Sequence, residues 1–533
     1  MIENKNKDEN KTAVKTVSMI IFATAFSKVL GLARNIIMAY YYGGSAEKAA
    51  FETASKIPVY SFDIFLGAAI LGVFIPIYNS FNPQDEKEKT EADEFANIFL
   101  NVVILVTGLL AFLGILFANQ IIDAITGGYE EETKRFAVDL LRILFPAIIF
   151  TGSVYTFTGI LQSKGEFLVP ALVSAVSNAG IIIYFLFFKK YFGIYGVGVA
   201  YLISWAIQLL TVFIPLNRKK YKYKYKYKFK IDLKNPAFSK AVKAALPIMA
   251  GAWLLPAVGL IGQHFLSFSE NPKFYVSAFG YSTEIFALIT GILTYGICNY
   301  IFPKLAQNAG NNQGFADIVK TGLSSAFFVI APVSCTAYVL RGEAVAVLYM
   351  RGEFTPELAQ ITSQMFAMLA PAMLMFSVIE ILNRAFYSKN LVKFPMTAAI
   401  SGITVNFILC WIFIEKLKLP PVYITLASFI CQTATAAILI ISLKIKIKEI
   451  FDIKFTVNIA KTVLSSVILL IIIKIIYFAL NNNAFEAGII KNIVVSLGIL
   501  ISGAAVYFIS NLILRTEEVK LFIKIFKKQK INN

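Results

Sequence analysis

Charged residues are scarce in this sequence. Asp, Glu, Lys and Arg make up 15% of its 533 residues, whereas hydrophobic residues make up 57%. So few charges leave too little polar surface to coat a water-soluble globule of this size, which excludes soluble enzymes and soluble binding proteins. The bilayer must therefore be the main solvent. Each crossing then needs about 20 mostly apolar residues in a helix that satisfies its own backbone hydrogen bonds.

Histidine and cysteine are also rare, with one histidine and four cysteines in the chain. Cys298, Cys335, Cys410 and Cys431 fall within apolar stretches, so we expect buried free thiols, and their spacing fits neither a zinc site nor a disulfide framework. The sequence lacks a Walker loop, a dinucleotide-binding glycine pattern, a nucleophile elbow and a His-Glu-x-x-His helix. We therefore predict no enzyme activity, no catalytic residue, no cofactor and no bound metal.

Fourteen apolar stretches are long enough to cross a membrane as helices. They predict an all-α polytopic membrane protein with about 14 transmembrane helices. The stretches lie near residues 14–42, 57–82, 95–119, 135–163, 168–188, 191–216, 237–267, 274–304, 317–342, 357–388, 393–415, 418–443, 457–479 and 486–514.

The distribution of Lys and Arg predicts the orientation. Nine of these residues lie in 218–234, four in 444–454 and five after Arg515, whereas the loop 479–485 has none. Because cytoplasmic loops are enriched in Lys and Arg, both termini and the two basic loops are predicted to be cytoplasmic. The net charge of +18 then needs no nucleic-acid partner. For the Lys/Tyr run 220–230, binding of anionic membrane lipids or a role in orientation is favoured over nucleic-acid binding.

The two halves of the chain resemble each other. Gly127, Leu144, Pro146, Ser163, Lys164 and Pro170 recur at a constant offset of 225 as Gly352, Leu369, Pro371, Ser388, Lys389 and Pro395. A repeat unit of six helices returns the chain to its starting side, so both copies have the same topology. This pattern predicts two parallel-repeat six-helix bundles around a central cavity, with alternating access by rocking.

The predicted domains follow from this repeat. They are an N-terminal bundle over 1–216, a basic loop over 217–236, a C-terminal bundle over 237–443, a basic loop over 444–456, two additional helices over 457–514 and a basic tail over 515–533.

Ionisable side chains at bilayer depth are costly, about 2.5–3.5 kcal/mol each, so they usually face a wet cavity or a partner. The candidates for such a cavity are Arg34 and Lys28 in the first helix, Lys56 and Asp63 near the second, and Glu284 in the eighth. Cations suit an anionic substrate, and Arg can grip a phosphate through two parallel hydrogen bonds. Arg34 is the best candidate because its own sequence neighbourhood contains no acidic residue.

Other charged residues have a structural interpretation. Glu380 and Arg384 are spaced i, i+4, which favours an ion pair within one helix over substrate binding. Asp139 and Arg142, spaced i, i+3, are interpreted in the same way. For His264, near the end of the seventh helix, an interfacial role is favoured over a proton relay.

Three motifs resemble the MurJ/MviN lipid II flippases of the MOP exporter superfamily. Residues 27–34 read Ser-Lys-Val-Leu-Gly-Leu-Ala-Arg, residues 348–355 read Leu-Tyr-Met-Arg-Gly-Glu-Phe-Thr, and residues 384–388 read Arg-Ala-Phe-Tyr-Ser. The resemblance spans about four hundred residues in both halves. This sequence departs from the family pattern at Ala49, where an acidic residue is usual, and at Glu284, where the family has an Arg.

The resemblance implies a flippase that carries undecaprenyl-pyrophosphate-linked disaccharide-pentapeptide from the inner to the outer leaflet of the bacterial plasma membrane. Lys28 and Arg34 then correspond to cavity cations of the family. The prenyl tail is expected to stay in lipid along a groove formed by the two additional helices. The implied partners are the lipid-linked anionic glycan, membrane lipids and the cell-wall synthesis machinery. Coupling to membrane potential or to a monovalent ion stays open.

Three alternatives remain. The chain could export another undecaprenyl-linked oligosaccharide, as Wzx-like relatives do. A MATE-type cation-coupled drug efflux is disfavoured by the cationic candidate residues and by the helix count, since twelve helices are expected of MATE exporters. A scaffold that transports nothing is disfavoured by the charges within the membrane.

Overall fold

The computed structural model describes residues 2–63, 66, 73–81, 85–216, 225, 227–251, 253–447, 450 and 452–520, and these contain helices but no strand. The chain divides into two compact units, Met1–Pro256 and Ala257–Asn533. The predicted boundary at 217–236 lies earlier in the chain. The helix that follows it belongs to the first unit, where Phe238 packs against Phe99 with ring centroids 6.4 Å apart.

The first unit contains ten helices up to Gly251. They are α1 (Ile2–Tyr42), α2 (Ala46–Phe62), α3 (Ile75–Tyr78), α4 (Glu86–Leu116), α5 (Ala118–Thr126), α6 (Glu131–Leu144), α7 (Ala147–Ser163), α8 (Leu168–Phe187), α9 (Lys189–Leu216) and α10 (Pro236–Gly251).

The second unit contains α11, apart from its first three residues, and the nine helices that follow it. They are α11 (Leu254–Ser267), α12 (Pro272–Gln307), α13 (Asn312–Val339), α14 (Arg341–Tyr349), α15 (Pro356–Leu369), α16 (Ala372–Ser388), α17 (Lys393–Trp411), α18 (Tyr423–Lys446), α19 (Ile453–Leu480) and α20 (Ile489–Leu514). A π-helical turn, Ile412–Lys416, extends α17.

The helices account for most of the predicted membrane crossings. Among the described residues, ten helices are long and apolar enough to span a bilayer, and two bent pairs, α6 with α7 and α15 with α16, raise the number to twelve. The predicted span 57–82 lies partly outside the described residues. The predicted span 237–267 is interrupted at Trp253, which is not helical. The chain is a multi-pass membrane protein, and the count of fourteen stays a prediction.

Two pairs of equivalent positions in the repeat have the same backbone geometry. The α6–α7 pair bends by 42° and the α15–α16 pair by 44°, at Pro146 and Pro371. Proline lacks the N–H that would continue the helix and its ring clashes with the preceding turn. After α7 and α16 the chain turns through Gly165 (φ 75°) and Asn390 (φ 58°), again 225 residues apart. Both ends therefore use a left-handed residue as a helix cap.

The glycine pair of the repeat does not behave in the same way in both units. Gly352 has φ 60°, in the left-handed region that favours glycine. Gly127 has φ −61°, which any residue can adopt. The backbone freedom of glycine is therefore needed at Gly352 but not at Gly127.

The two additional helices pack onto the second unit. A buried apolar cluster joins α13 to α19 and α20 through Val339, Leu340, Leu469, Ile473, Val495, Ile499 and Tyr507. The turn between α19 and α20 is also anchored, since Asn482 in its centre is buried. All four cysteines are free, as predicted, with Cys298, Cys410 and Cys431 buried and Cys335 half-buried.

Candidate functional site

The motif at residues 27–34 fixes α1 against α8. Ser27 Oγ donates to the Ala171 carbonyl at 2.9 Å, and Asn178 Nδ2 donates to the Ser27 carbonyl at 3.3 Å. One turn later, a Cβ atom at Gly31 would lie 3.2 Å from Asn178 Nδ2, a tight contact, so glycine favours the close approach of the two helices. Ser27 and Gly31 thus hold the helix that carries both predicted cations.

Arg34 and Lys28 have different environments on this helix. Arg34 lies about two turns after Ser27, on nearly the same stripe, and is half-buried. Lys28 is turned away from Ser27 by about 100° and is exposed. The structure thus places both cations on one helix, on different faces.

The guanidinium of Arg34 has few protein contacts. Its Nε and Nη2 donate to Asn35 Oδ1 at 3.0 Å and 2.8 Å. No carboxylate of the described residues lies within 4.0 Å of it, the limit for an ion pair. A guanidinium has five N–H donors, so about three remain for a ligand. The side chain is therefore oriented by its neighbour, and no acidic side chain within the described residues pairs with its charge.

Lys56 belongs to a buried charge cluster on α2 that the sequence reasoning missed. Glu52 lies between Lys48, whose Nζ is 2.7 Å from Glu52 Oε2, and Lys56, whose Nζ contacts Glu52 Oε1. Lys48 and Glu52 are 2% and 3% exposed, while Lys56 is 21% exposed. The repeated i, i+4 spacing of Lys, Glu and Lys was a signal that could have revealed the cluster. Lys56 therefore shares a buried carboxylate with a second lysine.

A hydrogen-bonded pair anchors this cluster to the loop before α6. Thr53 Oγ1 lies 2.8 Å from the Tyr129 hydroxyl, which also donates to the Ala49 carbonyl at 3.2 Å. Burial raises the pKa of Tyr129. Ala49 is fully buried at this contact. Asp63 follows the end of α2 and is half-buried, and part of its sequence neighbourhood lies outside the described residues.

The second unit places Glu284 one turn after an aromatic cluster. Tyr281 is fully buried, with its ring 5.0 Å from those of both Tyr349 and Phe354. This packing explains the aromatic positions of the motif at 348–355: they anchor α12. Glu284 itself is half-buried on α12.

The two ion pairs predicted within single helices are confirmed. Arg384 Nη1 is 2.6 Å from Glu380 Oε2, and its guanidinium lies 5.5 Å from the centre of the Tyr295 ring. Arg142 and Asp139 are 3.7 Å apart and both are exposed. Within the described residues, no group of three His, Cys, Asp or Glu side chains could hold a metal ion.

An apolar cavity of about 500 Å³ lies in the second unit between the repeat helices and the additional helices. Its walls include Ile289 of α12, Phe328 and Pro332 of α13, Leu469 of α19 and Tyr507 of α20. Gly503 allows α20 to pack closely, since a Cβ there would lie 3.2 Å from Leu469. The expected apolar groove at the additional helices therefore has a structural counterpart within this unit.

Comparison with known proteins gives a consistent answer. The family model described as lipid II flippase MurJ matches residues 38–496. A curated relative from Bdellovibrio bacteriovorus, named probable lipid II flippase MurJ, is 24% identical over 407 residues, which cover 75% of this chain and 76% of that protein.

Two solved structures share the fold. A lipid II flippase MurJ in an inward closed conformation matches with a TM-score of 0.73 and 24% identity, over 92% of this chain and 99% of that chain. An inward-facing MATE family transporter of the MOP superfamily matches with a TM-score of 0.66 and 14% identity, over 80% and 95%. Since the family model covers most of the sequence, this chain belongs to the MurJ lipid II flippase family.

Proposed function

We propose that this protein moves lipid II, the undecaprenyl-pyrophosphate-linked disaccharide-pentapeptide, from the inner to the outer leaflet of the bacterial plasma membrane by alternating access. Family membership supports the reaction, because the family is that of lipid II flippases. The observation that carries the proposal for this chain is Arg34, a half-buried guanidinium in a membrane-spanning helix with no carboxylate among the described residues in ion-pair distance.

A pyrophosphate is the part of such a substrate that Arg34 would bind. Two N–H groups on one guanidinium match two phosphate oxygens, and such charge-assisted pairs are about twice as strong as neutral hydrogen bonds. Asn35 fixes the side chain before the ligand arrives, which reduces the entropy lost on binding. Lys28, on a neighbouring face of α1, would supply a second charge. Lys56, Asp63 and Glu284 stay candidates for contacts with the headgroup.

The apolar cavity would accommodate part of the isoprenoid chain. Its walls are almost entirely aliphatic and aromatic side chains. A hydrocarbon chain gains about 0.8 kcal/mol for each buried CH₂ group when it leaves water, but little when it leaves lipid. The cavity would therefore guide the chain without holding it strongly, as transport requires.

The proposal also includes the orientation of the chain, the energy source and the fate of the product. The termini and the basic loops 217–236 and 444–456 would face the cytoplasm. Transport would be coupled to the membrane potential or to a monovalent ion, and the cell-wall synthesis machinery would take up the product. An exporter of another undecaprenyl-linked oligosaccharide uses the same pyrophosphate chemistry, so only a substrate-specific assay separates the two.

Complementation tests the proposal. Cells depleted of their own lipid II flippase should grow when they express this chain. Arg34→Ala should abolish growth at normal expression, and Arg34→Lys should impair it, because Lys keeps the charge and loses the two-pronged geometry. Arg142→Ala is the matched control, since that arginine is exposed and already paired with Asp139. Growth of the Arg34→Ala strain at the wild-type rate would remove Arg34 from the site.

A further inference from the structure

A second pocket lies in the second unit, at the end where α13 meets α14, α15 begins and α19 turns into α20. Its volume is about 590 Å³, within the range of roughly 300–1,000 Å³ found for small-molecule sites. The wall residues that could contact a ligand include Arg341, Gln360, Gln364, Asn481, Asn483 and Phe485. None of the residues already discussed as substrate ligands belongs to it.

The polar groups of this pocket are mainly neutral amides. Gln360, Ser363 and Gln364 are spaced i, i+3, i+4, so all three lie on one face of α15. Asn481 and Asn483 line the pocket from the α19–α20 turn. A planar amide can both donate and accept, which matches the hydroxyl and N-acetyl groups of a sugar.

An aromatic ring and a near-neutral charge complete the wall. Phe485 is half-buried, and its ring could cover the apolar face of a sugar. The wall has one cation, Arg341, and one anion, Glu486. Arg341 already donates to the Tyr338 carbonyl at 2.8 Å and lies 5.2 Å from the centre of the Tyr338 ring. This wall is therefore less suited to a phosphate than to an uncharged glycan.

A buried hydrogen-bond network holds the wall in place. The Tyr477 hydroxyl and Asn482 Nδ2 both donate to Glu343 Oε1, at 2.7 Å and 3.0 Å. Asn482 Nδ2 also donates to Asn492 Oδ1 at 3.1 Å, and Asn492 Nδ2 donates to the Ala484 carbonyl at 2.7 Å. Glu343 and Asn492 are fully buried. The network fixes the α19–α20 turn on α14, so the pocket is built before any ligand binds.

The polar pocket adjoins the apolar cavity. Val339 lines the polar pocket, and the next residue, Leu340, lines the apolar cavity. A ligand whose sugar head lies in the polar pocket would therefore have its hydrocarbon chain close to the apolar cavity. In the orientation predicted from Lys and Arg, this end of the unit faces the outside of the cell.

From these observations we infer that the polar pocket is a glycan site, which binds the sugar of the lipid-linked substrate on the outer side after the headgroup has crossed. The inference rests on the proposed function for the identity of the glycan. Such a site would hold the product while the apolar chain leaves the protein.

Binding of a soluble disaccharide tests this inference. The full-length protein in lipid nanodiscs is titrated with N,N′-diacetylchitobiose, and binding is followed by saturation-transfer NMR. We expect weak, saturable binding that falls about fivefold for each hydrogen bond lost in Gln360→Ala and Gln364→Ala. Phe485→Ala should also weaken it. Gln313→Ala is the matched control, because Gln313 is exposed at the opposite end of α13.

Four outcomes would overturn the inference. They are absence of saturable disaccharide binding to the wild-type protein, binding that the three pocket variants leave unchanged, tighter binding of a soluble pentapeptide than of the disaccharide, and tighter binding of inorganic pyrophosphate. Size-exclusion profiles confirm that the variants are folded. A protein that restores growth in flippase-depleted cells but does not bind the disaccharide would refute the glycan site and leave the proposed function intact.

Discussion

Replacing Glu52 with Gln should strongly destabilise the first unit. Lys48 and Glu52 are 2% and 3% exposed, with 2.7 Å between Lys48 Nζ and Glu52 Oε2. The Glu52→Gln change would keep the shape of the side chain but would remove the anion that Lys48 and Lys56 share. Breaking a buried ion pair by removing one partner costs about 3–5 kcal/mol, because a charge stays in a medium that solvates it poorly. The loss of the Lys56 ion pair adds less to this cost, because the Lys56 side chain is 21% exposed and its charge can be solvated by water.

A double replacement separates the charge effect from packing. In Lys48→Met/Glu52→Leu both charges are removed and the volume is roughly kept, so the free energy of unfolding should recover to within about 1 kcal/mol of the wild type. The free energy of unfolding is measured by titrating the detergent-solubilised protein with denaturant under conditions where unfolding is reversible. Glu47→Gln on the same helix is the control, since Glu47 is only half-buried. An unfolding free energy for Glu52→Gln within about 0.5 kcal/mol of the wild type would show that the buried charge of Lys48 does not depend on Glu52 for its stability.

Three further predictions concern the glycine pair of the repeat, the ion pair of Asp452 and the orientation of the chain. Gly352→Val should lower the free energy of unfolding by about 1–3 kcal/mol because φ is 60° at Gly352, whereas Gly127→Ala should leave it nearly unchanged. Equal losses of unfolding free energy for the two variants in a denaturant titration would contradict this prediction. The hydrogen bond from Lys320, 2.5 Å away, and that from the Phe455 backbone N–H lower the pKa of Asp452 below its usual 3.8. The ionised Asp452 carboxylate therefore stabilises the fold above about pH 4, and this stabilisation is lost as the pH falls through the lowered pKa. Over that pH range the difference in Tm between the wild type and Asp452→Asn should shrink. In a chain whose four cysteines are replaced by Ser, Asn483→Cys should react with an impermeant maleimide from outside and Lys234→Cys only from inside, and the reverse pattern would invert the topology.

The helices and their local ion pairs could be predicted from the sequence because each depends on neighbours in the chain. The apolar stretches identify the spans, and the i, i+4 spacing of Glu380 and Arg384 was sufficient for their ion pair. The break at Trp253 was missed. Pro256 has no backbone N–H to donate to the turn before it, so a helix cannot continue undisturbed through this point.

Contacts between distant residues could not be predicted. Glu343 and Asn482 are separated by 139 residues, and their hydrogen bond depends on how α19 and α20 pack against α13 and α14. A single sequence contains no signal for such a pairing. Asn482 lies in the loop 479–485, which lacks Lys and Arg and is therefore predicted to face the outside, yet the same packing buries it, while its neighbour Asn483 is exposed.

Flipping of lipid II by this protein can be measured directly in proteoliposomes. Lipid II with a fluorescent label on its peptide is reconstituted with the purified protein, and a membrane-impermeant quencher reports which leaflet holds the label. We expect the wild-type protein to exchange label between the leaflets and Arg34→Ala, reconstituted at the same density, not to do so. If the wild-type protein exchanged label only at the rate of protein-free liposomes, or if both proteins exchanged it equally, flipping of lipid II through Arg34 would be refuted.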